Sequence, residues 1–173
     1  MRVRIVSVVA ILLAILSAGA SGQTQGRVFV VLIDDASYRP SEVEGAGQLL
    51  GVLRDQVLQP ADLLSIVSTG RSAPTVAGVE VDQVQIERQA QMAFKTLTDI
   101  VAQLKMVDKR TKHLLLLTSA ATSAAALRSA LGPPNDMTRG IASVAEAAIR
   151  AGVTIHVIDP ADPASRDIVR RLN

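Results

Sequence analysis

Four apolar runs punctuate the chain, at 28–33 (Val-Phe-Val-Val-Leu-Ile), 63–67, 113–118 and 153–158. The first is continuous rather than alternating, the pattern of a strand covered on both faces, as in parallel sheets, and the other three read as further strands. Between them the apolar spacing changes to three and four. After Pro40, Ser41 and Glu44 form an S-x-x-E capping box. Val43, Ala46, Leu50, Leu53 and Val57 then make one helical stripe that ends before Pro60. Ile86, Ala90, Ala93, Leu97, Ile100, Leu104 and Val107 predict a long helix. A further helix is predicted over 138–151, with Ile141, Val144, Ala148 and Ile149 inward and Gly152 as its stop. Asp162-Pro163 opens a last helix, the acid as cap and the proline at the first helical position. Residues 71–80 are rich in turn formers, with a short edge strand expected at 75–81, and an Ala-rich segment leads to Gly132-Pro133-Pro134.

Strong strands separated by helices predict an α/β domain over 27–173: three layers, doubly wound, with a mostly parallel sheet and right-handed crossovers. Ligands of such sheets gather beyond the carboxyl ends of the strands. The residues expected there are Asp34 and Asp35, Ser68 and Thr69, Thr118 and Ser119, and Asp159.

The first 22 residues follow another logic. Met1 to Arg4 is short and basic, 5–20 is almost wholly Ile, Val, Leu and Ala, and the run ends in Ala18-Gly19-Ala20-Ser21-Gly22. This is the layout of a secretory signal peptide, cleaved after Ala20 or Gly22. The alternative is an uncleaved membrane anchor, against which the 16-residue apolar run falls short of the roughly 20 residues a spanning helix needs. Either way the domain is expected to be exported, to the periplasm or beyond, meeting a membrane only if the segment is retained. Removing Arg2 and Arg4 leaves 18 − 2 = 16 basic residues against 16 acidic ones. A neutral domain carries no electrostatic footprint for nucleic acid.

Composition narrows the chemistry further. There is no Cys, hence no disulfide, thiolate ligand or Cys nucleophile. Aromatics are 2%, too few to build stacking platforms for bases, sugars or a flavin. No G-x-S-x-G elbow, G-x-G-x-x-G turn or P-loop occurs. His113 and His156 each sit on an apolar strand, where a lone histidine reads as a packed, hydrogen-bonded residue. Asp34 and Asp35 are neighbours on extended chain and point in opposite directions, so they are not expected to share one substrate atom. They read either as a strand terminator, with one acid turned to solvent, or as remnants of a metal site. Lys105, Lys109, Arg110 and Lys112 read as a solvated helix end, as do Arg166, Arg170 and Arg171. A phosphorelay receiver would also place paired acids after its first strand. Here its phospho-acceptor Asp has only Asp82 as a candidate, and its Lys after the last strand is replaced by Ile158-Asp159-Pro160.

Four segments together, RVFVVLIDDAS, QPADLLSIVSTGR, KRTKHLLLLTSA and IASVAEAAIRAGVTIHVIDPAD, resemble in order and spacing a von Willebrand factor type A domain of the secreted bacterial, VWFA-related branch, over about residues 27–172. The resemblance implies a Rossmann-like fold that serves protein binding or scaffolding rather than catalysis. It also implies a metal-ion-dependent adhesion site, in which Asp-x-Ser-x-Ser, a loop Thr and a later Asp hold Mg²⁺ with one position open for a partner's carboxylate. The match is incomplete. Counting from Asp34, the Ser positions hold Ala36 and Tyr38; counting from Asp35, Ser37 and Arg39. Thr118-Ser119-Ala120 stands where the family has Thr-Asp-Gly, and no position clearly supplies the loop Thr. Asp34, Asp35 and Ser37 are therefore the metal candidates of a degenerate site. No cofactor is expected, with Mg²⁺ the alternative, and the partner is an unknown protein. The competing function is a metal-dependent adhesin or periplasmic enzyme built on the same three residues. After the Ile-Asp-Pro strand the family continues with another strand and helix, so the domain is expected either to be short or to be a fragment.

Overall fold

A computed structural model of the chain describes residues 26–34, 38, 40–69, 83–119 and 136–173. The N-terminal segment 1–22, the edge strand expected at 75–81 and most of the Ala-rich segment lie outside the described residues, as do Asp35, Ala36, Ser37 and Arg39. In chain order the elements are β1 (Val28–Ile33), α1 (Pro40–Val52), β2 (Leu63–Ser68), α2 (Gln83–Leu104), β3 (Lys112–Leu117), α3 (Asp136–Ala151), β4 (Val153–Ile158) and α4 (Ser165–Arg170). The described strands form one all-parallel sheet in the order β2-β1-β3-β4. This is the three-layer α/β architecture that the apolar runs predict.

The two faces of the central strands fill two cores. Val28, Val30 and Leu32 of β1 pack with Leu114 and Leu116 of β3 beneath α2 and α3. Phe29 and Val31 pack with Leu115 and Leu117 beneath α1 and α4. That double covering explains why β1 and β3 are apolar at nearly every position. The outer strand β2 is not covered in this way: Ser65 and Val67 are buried while Leu64 and Ile66 are exposed.

The helix faces differ in detail from the spacing argument. In α1 and the turn after it, the core residues are Ala46, Leu49, Leu53 and Val57, with Leu50 partly buried and Val43 exposed. The buried residues step by three, four and four, an ordinary helical period that passes through Leu49 rather than Leu50. Leu53–Val57 winds as a π turn, closed by the Leu58 N–H donating to the Leu53 carbonyl at 3.0 Å. In α3, Val144, Ala148 and Ala151 face the core, whereas Ile149 is 79% exposed. The inward step is +4 and then +3, and Ile149 falls a residue beyond it. Gly152 does end α3, with a φ of 65° that suits glycine. The last helix begins at Ser165 rather than at Pro163. Asp162 instead forms a turn, its carboxylate accepting from the Ala164 N–H at 2.9 Å.

Two close approaches fix the helix layer that carries α1 and α4. A Cβ on Gly45 would lie 2.3 Å from the Pro160 carbonyl oxygen, so α1 rests on the chain leaving β4 only because that residue is glycine. At the amino ends of the strands, Arg27 clamps Asp62. Its Nη2 donates to Oδ2 at 2.7 Å and to the Val57 carbonyl at 2.8 Å, while Nη1 donates to the Leu172 carbonyl. The basic turn is likewise not all solvated. Lys112 is buried and its Nζ donates to the Ala151 carbonyl at 3.0 Å, and Arg110 reaches the Ala61 carbonyl at 3.2 Å. Lys112 thus satisfies the last carbonyl of α3 and Arg110 a carbonyl in the turn before β2, roles that the pattern of basic residues alone does not reveal.

Candidate functional site

The strand order places a switch between β1 and β3: the chain leaves β1 toward β2 on one side and returns to β3 on the other. Such a switch point opens a crevice at the carboxyl ends of the strands. The residues just past the strands meet there. The Asp34 N–H donates to the Leu117 carbonyl at 2.9 Å, the Thr118 N–H to the Ile158 carbonyl at 3.1 Å, and the Thr69 N–H to the Ile33 carbonyl at 3.0 Å. The ladder thus runs one residue beyond each strand and holds three polar side chains in fixed positions.

Asp34 is the centre of this cluster and is 1% exposed. Of the two adjacent acids, this one faces inward. Thr118 Oγ1 donates to its Oδ2 at 3.0 Å, bridging β3 to β1, and Thr69 Oγ1 lies 3.4 Å from its Oδ1. Hydroxyl donors of this kind satisfy a buried carboxylate and orient it. Ser119 is buried beside them in the chain. Asp159 is apart from the cluster in its bonding: its carboxylate accepts from the Ala161 N–H at 2.9 Å and shapes the turn after β4.

Of the predicted metal candidates, the structure describes Asp34, while Asp35 and Ser37 lie outside the described residues. Thr69 is the addition that sequence spacing misses. It stands in the expected strand-end set, but its approach to Asp34 follows from the pairing of Ile33 with Ser68 across β1 and β2. The oxygens of Asp34, Thr69 and Thr118 are hard donors of the kind Mg²⁺ takes. They supply one negative charge, and among the described residues no three His, Asp or Glu side chains gather closely enough to hold a metal.

A second constellation escaped the sequence reading entirely. His113 and His156 are not lone residues: Nδ1 of His113 lies 3.3 Å from Nε2 of His156. His156 pairs in register with Leu115, two residues beyond His113, so both rings share one face of the sheet. The signal was the common parity of the two histidines within their parallel strands. His113 also lies nearly parallel to the Phe29 ring, with centroids 4.9 Å apart. Burial pushes the pKa of both rings below the ordinary histidine value. For His113 the neighbouring His156 and Arg27 push the same way, against the pull of Asp62.

No family model matches this chain. No curated protein and no solved structure matches it either. The fold and the strand-end cluster therefore rest on this chain's own geometry, and the resemblance to von Willebrand factor type A domains stands as a reading of its residues.

Proposed function

We propose that this protein is a secreted, non-enzymatic protein-binding or scaffold domain of von Willebrand factor A type, whose partner surface lies at the carboxyl ends of the strands around Asp34. The observation that carries the reading is the Asp34–Thr118 bond across the switch point. It gives the site a rigid polar floor in the crevice where folds of this architecture bind ligands. The described floor is a carboxylate engaged by two hydroxyls, groups suited to polar recognition. Fold analogy supplies the functional class, and the cluster supplies the location. Export rests on the basic, apolar and small-residue order of 1–22. Among the described residues no helix is long and apolar enough to cross a membrane.

One observation favours a second reading. Thr69 and Thr118 converge on Asp34 from two different strands, as a hydroxyl-assisted cation site requires. With Asp35 and Ser37 added, the cluster would serve a metal-dependent adhesin or periplasmic enzyme.

Photo-crosslinking tests the location. A benzophenone side chain introduced at Ser68, exposed at the carboxyl end of β2, should give a discrete protein adduct in the native host. The same probe at Met106, exposed beyond the end of α2, should give none. Equal adducts from both positions, or none from Ser68, would contradict the proposed surface. Intact mass of the same material should show loss of about 20–22 residues; a full-length cytoplasmic product would refute export.

A further inference from the structure

We propose that His113 and His156 form a cross-strand, two-histidine site for a borderline transition-metal ion, Zn²⁺, Ni²⁺ or Cu²⁺, separate from the Asp34 cluster. The argument begins with distance. Metal–nitrogen bonds of about 2.0–2.1 Å at a tetrahedral corner set two donor nitrogens about 3.3–3.4 Å apart. Nδ1 of His113 and Nε2 of His156 are 3.3 Å apart. The ring centroids are 5.5 Å apart, so the two nitrogens lie between the rings and face each other. A modest pivot of each ring about its χ2 angle would bring both lone pairs onto one ion.

The backbone makes the pair a built feature. β3 and β4 are neighbours in a parallel ladder, with His113 opposite Thr154 and Leu115 opposite His156. The Phe29 ring lies against His113 and limits its rotation. Both rings are half-buried, which leaves the outer side of the pair open to water or to a further ligand. Their surroundings suit a cation better than a lone arginine nearby would suggest, because Arg27 is paired with the Asp62 carboxylate at 2.7 Å. Burial also keeps both imidazoles neutral at neutral pH, the form that ligates. On metal entry the proton now shared between the facing nitrogens moves to the other nitrogen of its own ring. No net charge is lost from the protein in that exchange.

Two imidazoles select nitrogen-seeking divalent ions over Mg²⁺ or Ca²⁺, with Cu²⁺ bound most tightly, as the Irving–Williams order requires. The remaining positions belong to water, since among the described residues no third His, Asp or Glu joins the pair. A site of this kind, at an outer strand of the sheet, has open coordination positions through which an exogenous carboxylate or imidazole could bind.

The test uses the full chain without an affinity tag, titrated with CuCl₂, NiCl₂ and ZnCl₂. The chain has two histidines, so the readout is unusually clean. The expected results are one Cu²⁺ per chain, two-nitrogen hyperfine structure in its electron paramagnetic resonance spectrum, and a melting temperature raised by each ion. His156→Gln, on the outer strand, should weaken binding by about 10-fold or more, by comparison with the 10–100-fold losses seen even for groups that only support a ligand. Should His113→Gln disturb packing against Phe29, His156→Gln carries the test by itself. Asp34→Asn should leave Cu²⁺ binding unchanged. A spectrum without two coordinated nitrogens, or Cu²⁺ binding of equal strength in His156→Gln, would overturn the proposal.

Discussion

Replacing Arg27 with alanine should lower folding stability by about 3–5 kcal/mol, the usual result of removing one member of a buried ion pair. The Asp62 side chain is 2% exposed, and the substitution would remove the Nη2 contact at 2.7 Å and the Nε contact at 3.2 Å while keeping the backbone N–H at 2.6 Å. The same guanidinium also satisfies the carbonyls of Val57 and Leu172, joining the π turn after α1 to the chain beyond α4. Arg27→Lys should recover only part of the loss, because a point ammonium cannot reach these acceptors together. The pair also predicts acid sensitivity. Burial opposes ionisation of Asp62, but the Arg27 side chain, the Gln59 and Arg27 N–H groups and the Arg27 charge together hold its pKa below the ordinary value. A depressed carboxylate stabilises the fold above the unfolded value of about 3.9, and that contribution is lost as pH falls through the lower folded value. Urea melts of wild type and Arg27→Ala from pH 6 to pH 2 should therefore converge at the acid end. Parallel curves would assign the effect to packing alone.

The second large effect is expected at Phe29. It is fully buried on a central strand, shares its core with Val31, Leu115, Leu49 of α1 and Leu53 of the turn after it, and lies against His113. Phe29→Ala should cost about 3–5 kcal/mol through lost burial and the cavity left behind. Phe29→Leu, which keeps more of the volume, should cost clearly less. The shift in urea midpoint at unchanged slope reads the loss. Equal midpoints for wild type and Phe29→Ala would mean that this layer is not the core described above.

The strands were legible because their chemistry is extreme. A run such as Val-Phe-Val-Val-Leu-Ile is compatible with little besides a strand covered on both faces, and the ends at Asp34 and Thr118 follow from it. Helix faces were less legible. In α1 the adjacent apolar residues Leu49 and Leu50 both fit a helical spacing, and the pattern alone does not decide that Leu49 is the more deeply buried. The floor of the site was half legible: Asp34, Thr69 and Thr118 stood in the strand-end set, but their mutual bonds depend on strand order. The histidine pair was missed because each residue was weighed within its own strand. Lys112 and Arg110 were misread for a similar reason, since the carbonyls they satisfy are supplied by distant segments.

The central claim is that the Asp34 cluster binds a partner without depending on a complete metal site. Geometry pulls two ways here: a single buried carboxylate is sparse for a hard cation, while two hydroxyls converge on it. Ligand linkage separates these outcomes, because an ion that binds only the folded state raises stability by about 2.7 kcal/mol at a hundredfold excess over its dissociation constant. The decisive measurement is thermal melting of the protein in EDTA and then in millimolar Mg²⁺, Ca²⁺ or Mn²⁺, for wild type, Asp34→Ala and Asp35→Ala. The account predicts no ion-specific rise in melting temperature. A clear rise with one of these ions, abolished by either substitution and retained in His156→Gln, would contradict it and establish the cation-dependent adhesin.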